Sequence, residues 1–162
     1  MSIDTKPRVL PLAEAQAFVA QFISACGDAV QRWSPVGSVR RREEMVGDID
    51  VLIEVRAPVA RSLHKIRTVM KQNGQWLKGQ DRMMKSWNLF GCGCSFEVFL
   101  AHPPTNYLAL LALRTGPASS TQALTQGLTD RGRPRPHAQL RPLTEKQMYE
   151  WAGIPWTEPE ER

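Results

Sequence analysis

Three acidic residues have the types and spacing expected of a divalent-cation site. Asp48 and Asp50 open a β-branched run, and residues two apart on a strand point to the same face, so their carboxylates lie side by side. Glu97 stands alone among the apolar residues 96–100, where a buried carboxylate needs a cation as partner. Mg²⁺ binds through one or two carboxylates together with phosphate oxygens. The three acids therefore predict a metal site for a phosphate-bearing ligand.

A short segment with phosphate-binding character precedes the acidic pair. Gly37 lets the backbone approach an anion closely, Ser38 adds a hydroxyl donor, and the arginines at 40–42 can form charge-assisted bonds to phosphate oxygens. Taken singly, an Asp-x-Asp pair and a run of arginines more often belong to a solvated surface. In this order and at this spacing they favour metal ligands and phosphate ligands that lie one loop apart.

Regular elements are expected to position these residues. Apolar residues at three- and four-residue spacing predict a helix over 12–30, which a Ser-Pro break at 34–35 ends. The pattern then predicts a strand over 49–55, a basic helix over 58–73, and strands over 83–90 and 95–101 joined by a hairpin-like turn at 91–93.

Past residue 103 the pattern changes to helix and loop. Helices are expected over 106–113 and 120–129, followed by an extended Arg- and Pro-rich connection over 131–142. Thr144 and Gln147 fit a capping box at the start of a helix that runs to Trp151. The whole pattern predicts an α+β fold with a subdomain boundary near residue 103.

Length and charge limit the class of protein. A chain of 162 residues with 42% hydrophobic residues can build one core, which excludes a large multidomain machine. The net charge is +5, and residues 58–100, with seven basic against two acidic residues, supply all of it. A basic surplus confined to one segment favours a polyanionic partner.

The cysteines and the apolar runs indicate a compartment. Three cysteines do not make a full set of disulfides, and the chain does not open with a secretory signal, so we expect a cytoplasmic protein. Cys92 and Cys94 lack a second ligand pair and are interpreted as buried thiols of a hairpin rather than metal ligands. Apolar runs stay far below the roughly 20 residues of a membrane span, so no membrane contact is expected.

Four segments of the chain resemble the family X DNA polymerases. They are Gly37-Ser38-Val39-Arg40-Arg41, Gly47-Asp48-Ile49-Asp50-Val51-Leu52, Arg114-Thr115-Gly116-Pro117 and the ending at 153–162. The first two are specific for the nucleotidyltransferase superfamily, and the last two point to the polymerase branch. The resemblance implies a nucleotidyltransferase palm over residues 1–103, with a mixed β-sheet, and a thumb of helices and a small sheet over 104–162.

The resemblance also implies an activity and its residues. It implies a DNA polymerase that adds dNMP from a dNTP to a primer 3′-hydroxyl by two-metal phosphoryl transfer, with two Mg²⁺ or Mn²⁺ ions held by the catalytic acids Asp48, Asp50 and Glu97. The implied nucleotide-binding residues are Gly37, Ser38, Arg41, Arg8, Thr115 and Gly116. Without a further DNA-binding domain ahead of the palm, the residues expected to contact DNA phosphates are Arg61, Lys65, Lys71, Lys78, Arg82 and Lys85.

Partners and location follow from the same resemblance. The expected substrates are gapped or primer–template DNA and a dNTP, in short-gap filling during DNA repair. A monomer is expected, located in the cytoplasm, or in the host cytoplasm if the protein is viral.

Some positions depart from the family pattern. Glu97 replaces the usual aspartate as third acid, and Leu113-Arg114 replaces an aromatic pair, while Thr121 takes the place of an asparagine. Discrimination between sugars is therefore open. Pro117 follows Gly116, and because an X-Pro bond reduces the cost of the cis form to about 0.5–1 kcal/mol, a cis bond is accessible there.

Two other functions are compatible with the sequence. One is a template-independent nucleotidyltransferase that acts on RNA or another acceptor. The other is a catalytically silent module that binds DNA ends, which would apply only if Glu97 does not hold a metal. The presence of all three acids favours an enzyme.

Overall fold

The computed structural model describes residues 6–162 and has an α+β fold. Within this range the strands are β1 (Leu10–Pro11), β2 (Val30–Pro35), β3 (Met45–Val46), β4 (Asp48–Val55), β5 (Gln75–Gln80), β6 (Met83–Trp87) and β7 (Ser95–Ala101). The α-helices are α1 (Leu12–Cys26), α2 (Gly37–Arg40), α3 (Val59–Asn73), α4 (Tyr107–Thr115), α5 (Ala118–Asp130) and α6 (Glu145–Ala152). None of the helices in residues 6–162 combines the length and the apolar character needed to cross a bilayer.

The strands form one mixed sheet and one small ladder. The mixed sheet has the order β2-β4-β7-β6-β5, and β1 pairs with β3 separately. The central strands β4 and β7 are parallel, whereas β2, β5 and β6 pair with their neighbours in antiparallel fashion. The predicted hairpin between β6 and β7 is confirmed, as is the strand over 95–101.

The two faces of the mixed sheet have different partners. Ile49 and Val51 of β4 point into the main core, where they pack with the apolar residues of α1 and α3. Leu52 points the other way and packs with residues of α4. Because side chains alternate along a strand, Asp48 and Asp50 lie on the α4 face. The packing of α1 and α3 thus leaves the carboxylates on the opposite side of the sheet.

The three C-terminal helices build a second hydrophobic cluster beside the sheet. Leu110 and Leu111 of α4 contact the sheet, while Ala109 and Ala112 of the same helix face α5 and α6. The capping box at the start of α6 is confirmed in its first half, since the Gln147 amide donates to the Thr144 hydroxyl (3.3 Å). The Gln147 side chain accepts from the amide of Leu143 (2.8 Å), one residue before the N-cap, rather than from the amide of Thr144.

The first helix and the edge strands differ from the prediction. The helix expected to reach residue 30 ends at Cys26, because Gly27 takes a left-handed conformation (φ 53°) and Val30 begins β2. The edge strand β5, of mixed polar sequence, was not predicted either.

The Gly116–Pro117 bond is cis. Cys92 and Cys94 are buried thiols with 3.7 Å between their sulfurs, as predicted.

Candidate active site

The register of β4 and β7 brings the three predicted acids together. Asp50 pairs directly with Glu97, and Asp48 pairs with Ser95. Parallel partners project to the same face, so the three carboxylates, here called the carboxylate cluster, share the α4 face. Burial, followed by the charges of Asp48 and Glu97, raises the pKa of Asp50 to about 7, and Lys85 and Arg114 offset only part of this effect. The cluster therefore carries negative charge that the protein does not fully compensate.

A cavity of about 470 Å³ lies between the carboxylate cluster and the C-terminal helices. The sheet contributes the three acids and Phe99, and α4 contributes Leu113 and Arg114, whose guanidinium stacks 4.5 Å from the centroid of the Phe99 ring. The residues that line it from α5 are spaced three and four apart, on one side of that helix: Ala118, Thr121, Gln122 and Thr125. Apart from Thr121, these α5 residues were not predicted, although their helical spacing was readable in the sequence.

Gly37 lies directly against the carboxylate cluster, and Ser38 is the next residue of the chain. The amide of Val36 donates to the carbonyl of Asp50 (2.9 Å), and Gly37 then turns with φ 57°. A Cβ atom at Gly37 would lie 2.6 Å from Asp50 Oδ2, so the glycine is needed to make room for that carboxylate. Ser38 Oγ is buried and has no hydrogen-bond partner among residues 6–162. A buried hydroxyl without a partner in this range, one residue after Gly37, is compatible with the predicted contact with a phosphate oxygen.

Arg41 and Thr115 contact each other in this structure. Arg41 Nη1 donates to the carbonyl of Thr115 (2.7 Å), and the rest of its guanidinium pairs with Glu43. The Thr115 hydroxyl is fully buried and donates to the carbonyl of Leu111 (2.7 Å), so it does not line the cavity. Gly116 lies against Arg41 rather than in the cavity wall. The structure thus places Leu113 and Arg114, not Thr115 and Gly116, next to the acids.

An ion pair that was not predicted joins α2 to α6. The Arg40 guanidinium binds both carboxylate oxygens of Glu145 (2.8 and 2.6 Å) and also donates to the Thr115 hydroxyl. The side chains of Arg40 and Glu145 are 18% and 10% exposed. Arg162 Nη2 lies 3.8 Å from Glu145, and its guanidinium stacks over Tyr149 and Trp156. We call Arg40, Thr115, Glu145 and Arg162 the Arg40 network.

The predicted DNA-contacting residues fall into two groups. Arg61, Lys65 and Lys71 belong to α3, which packs on the sheet face opposite the carboxylates. Lys65 pairs with Asp28 (3.3 Å), and Lys71 lies over the ring of Trp76. The structure therefore does not bring this group to the acids.

The second group lies nearer the acids, on β5, β6 and the turn between them. Lys78 pairs with Lys85 across β5 and β6, and Lys85 pairs with Glu97 across β6 and β7. Arg82 instead donates to the backbone carbonyls of His102 and Pro103. Arg8, the weaker predicted phosphate ligand, pairs with Glu14 (2.7 Å) outside the lining of the cavity.

The carboxylate cluster is not a preformed metal site as it stands. No group of three or more His, Cys, Asp and Glu side chains within residues 6–162 could hold an ion in its present geometry. Glu97 is instead paired with Lys85 Nζ, 2.5 Å from its Oε1. Three carboxylates on one face of the sheet nevertheless supply the oxygen ligands that suit Mg²⁺ or Mn²⁺.

The arrangement is that of an acidic cavity bordered by Arg114 and by the polar residues Thr121, Gln122 and Thr125. No protein-family model matches the chain, and no curated protein does so either. The geometry of the site is therefore what indicates a function.

Proposed function

We propose that this chain is a metal-dependent nucleotidyltransferase that adds dNMP from a dNTP to the 3′-hydroxyl of a DNA primer with release of pyrophosphate, in the manner of a short-gap-filling polymerase. One observation carries the proposal: the parallel register sets Asp50 beside Glu97, with Asp48 on the same face, at the wall of a cavity large enough for a nucleotide. The adjoining Gly37-Ser38 segment supports it, because Gly37 packs against the Asp50 carboxylate and the buried Ser38 hydroxyl has no hydrogen-bond partner within residues 6–162.

Each residue has a defined part in this reaction. Asp48, Asp50 and Glu97 would hold two Mg²⁺ or Mn²⁺ ions, which when bound activate the attacking hydroxyl and neutralise the triphosphate. Ser38 would donate its hydroxyl hydrogen to a phosphate oxygen. Arg41 would do the same with its guanidinium after leaving the Thr115 carbonyl.

Two further groups orient the reactants. Arg114, stacked on Phe99 at the cavity wall, would present positive charge to the nucleotide. The polar side of α5, with Thr121, Gln122 and Thr125, would contact the sugar and base. Positioning and charge thus supply the catalysis, as in other phosphoryl transfers.

Primer extension tests the proposal. The wild-type chain, a gapped duplex, Mg²⁺ or Mn²⁺ and one dNTP should give a product one nucleotide longer. Asp50→Asn should lower the rate by at least about 10³-fold, since it removes a charged ligand of the reacting groups. Glu54→Gln is the matched control, because Glu54 lies on the same strand but outside the cavity and pairs with Arg32; it should keep wild-type activity.

The two alternatives give different results in the same assay. Incorporation that does not depend on the template base would indicate a template-independent nucleotidyltransferase, and comparison of dNTP with rNTP pools would define its sugar preference. Salt-dependent DNA binding without any turnover would indicate a silent DNA-end binding module. Undiminished extension by Asp50→Asn would refute the proposed active site.

A further inference from the structure

Lys85 occupies a special place beside the carboxylate cluster. It lies on β6 directly opposite Glu97 of β7, and its Nζ is 2.5 Å from Glu97 Oε1. The two side chains are 27% and 23% exposed, so the pair is largely withdrawn from water. A charge-assisted contact of this kind is stronger than a neutral hydrogen bond.

The cross-strand order explains why Lys85 is the residue that reaches Glu97. Lys78, Lys85, Glu97 and Asp50 follow one another across β5, β6, β7 and β4, each paired with the next. Two cations are therefore followed by two acids on one face of the sheet. Lys85 is the cation next to the acids, while Lys78 is one strand further away.

A divalent ion held by Glu97 would compete with Lys85 for the same oxygen. Glu97 Oε1 already accepts a hydrogen bond from the Lys85 ammonium. If the ammonium stayed in place, a divalent cation at the same oxygen would repel it. The ion gains the Glu97 ligand only if the lysine moves aside. In the absence of an ion, by contrast, Lys85 keeps three neighbouring carboxylates from being wholly unbalanced.

We propose that Lys85 is a positioning residue that acts as the resident counter-ion of Glu97 and competes with the divalent cation for this carboxylate. The inference builds on the proposed function, because it concerns the same carboxylate cluster. Lys85 holds Glu97 in its metal-free position and thereby weakens metal binding until it is displaced. This role differs from the direct DNA contact predicted from the sequence for Lys85.

Mn²⁺ binding to the full chain tests the proposal without reference to activity. Free Mn²⁺ is followed by electron paramagnetic resonance during titration of wild type, Lys85→Met, Lys85→Arg and Lys78→Met. Lys85→Met should bind Mn²⁺ about tenfold more tightly than wild type, since the competing ammonium is gone. Lys85→Arg and the matched control Lys78→Met should stay within about twofold of wild type.

A second variant tests whether the gain in Mn²⁺ affinity depends on Glu97. In the double variant Lys85→Met/Glu97→Gln the tighter binding should disappear, because the contested oxygen ligand is no longer charged. Circular dichroism verifies the fold of each variant, and Lys85→Gln, of similar length, replaces Lys85→Met if the latter does not fold.

The opposing outcomes are distinct. The proposed role of Lys85 is wrong if Lys85→Met and wild type bind Mn²⁺ with equal affinity, or if Lys78→Met gains as much affinity as Lys85→Met. The proposed metal site still stands in that case, provided that Asp50→Asn loses the bound ion. If neither wild type nor Lys85→Met binds Mn²⁺ in an Asp50-dependent way, the proposed metal site fails together with this inference.

Discussion

The carboxylate cluster and the Arg40 network lie on the same side of the sheet, but they differ in how far the protein neutralises their carboxylates. In the Arg40 network, the Glu145 carboxylate pairs with two guanidinium groups, those of Arg40 and Arg162, so its charge is compensated within the protein. In the carboxylate cluster, three acids meet one ammonium, with one guanidinium nearby, and the pKa of Asp50 is raised to about 7.

The difference distinguishes residues that stabilise the fold from residues that are placed to bind a cation. A satisfied ion pair fixes the position of α6 relative to the turn that carries Ser38. An unbalanced cluster costs stability, and that cost is recovered only when a cation binds. Substitutions in the two places should therefore change stability in opposite directions.

Glu145→Gln should have the largest effect on stability. It removes the charge that compensates Arg40 and Arg162, and leaving buried cations without a partner costs about 3–5 kcal/mol. Chemical denaturation at pH 7 measures the loss as a lower midpoint at unchanged slope. A loss below about 1 kcal/mol would show that the Arg40 network behaves like a surface ion pair and does not differ from the carboxylate cluster in this way.

Asp50→Asn should have the opposite sign. At pH 8 in EDTA it should stabilise the protein by about 2–3 kcal/mol, because asparagine places no charge in this buried position and none beside Asp48 and Glu97, while water entering the open cavity relieves part of the full penalty.

The pH dependence distinguishes this explanation from a simple packing effect. The ordinary pKa of aspartate is 3.8, and the pKa of Asp50 in the folded protein is about 7. Below the ordinary value, both folded and unfolded chains hold the proton, so Asp50 costs nothing. As pH rises from about 4 to about 7, the unfolded chain ionises first and the wild type loses stability, which then stays constant. The advantage of Asp50→Asn should thus vanish near pH 4; an advantage that is equal at pH 4 and pH 8 would contradict this origin.

Much of the fold could be predicted because its central elements have strong local patterns. The apolar alternation of β7 and the helical spacing of α3 specify their own structure. The edge strands β2 and β5 could not be predicted so easily. Their residues are mostly exposed, so no buried face imposes an alternation on sequences such as Gln75–Gln80.

The candidate site was predictable as a set of residue types but not as a set of contacts. Asp48, Asp50 and Glu97 were expected together, and the register places them together. The partners of Arg40 and Lys85 were not foreseen, because an arginine in a basic run and a lysine in a short strand give no sign of which distant acid they meet. Such pairs depend on the packing of whole elements.

Addition of Mg²⁺ should give a smaller effect that appears only in the carboxylate cluster. With 10 mM Mg²⁺ and a dissociation constant of about 1 mM, binding to the folded chain alone adds about 1.4 kcal/mol at pH 8. Thermal unfolding measures this as a higher midpoint for wild type. Asp50→Asn should lose the shift, whereas Glu145→Gln should keep it on a lower baseline; a similar shift in Asp50→Asn would mean that the ion binds elsewhere.

Glu54→Gln should have the smallest effect and sets the scale for the others. Glu54 pairs with Arg32 at the far end of β4, and their side chains are 34% and 50% exposed, so solvent already screens both charges. An exposed pair contributes about 0–1 kcal/mol, and we expect a loss near about 0.5 kcal/mol at pH 7 that fades in high salt. A loss as large as that of Glu145→Gln, measured in the same denaturation experiment, would mean that burial is not what distinguishes the Arg40 network. The second guanidinium, that of Arg162, would then be the feature that distinguishes Glu145 from Glu54.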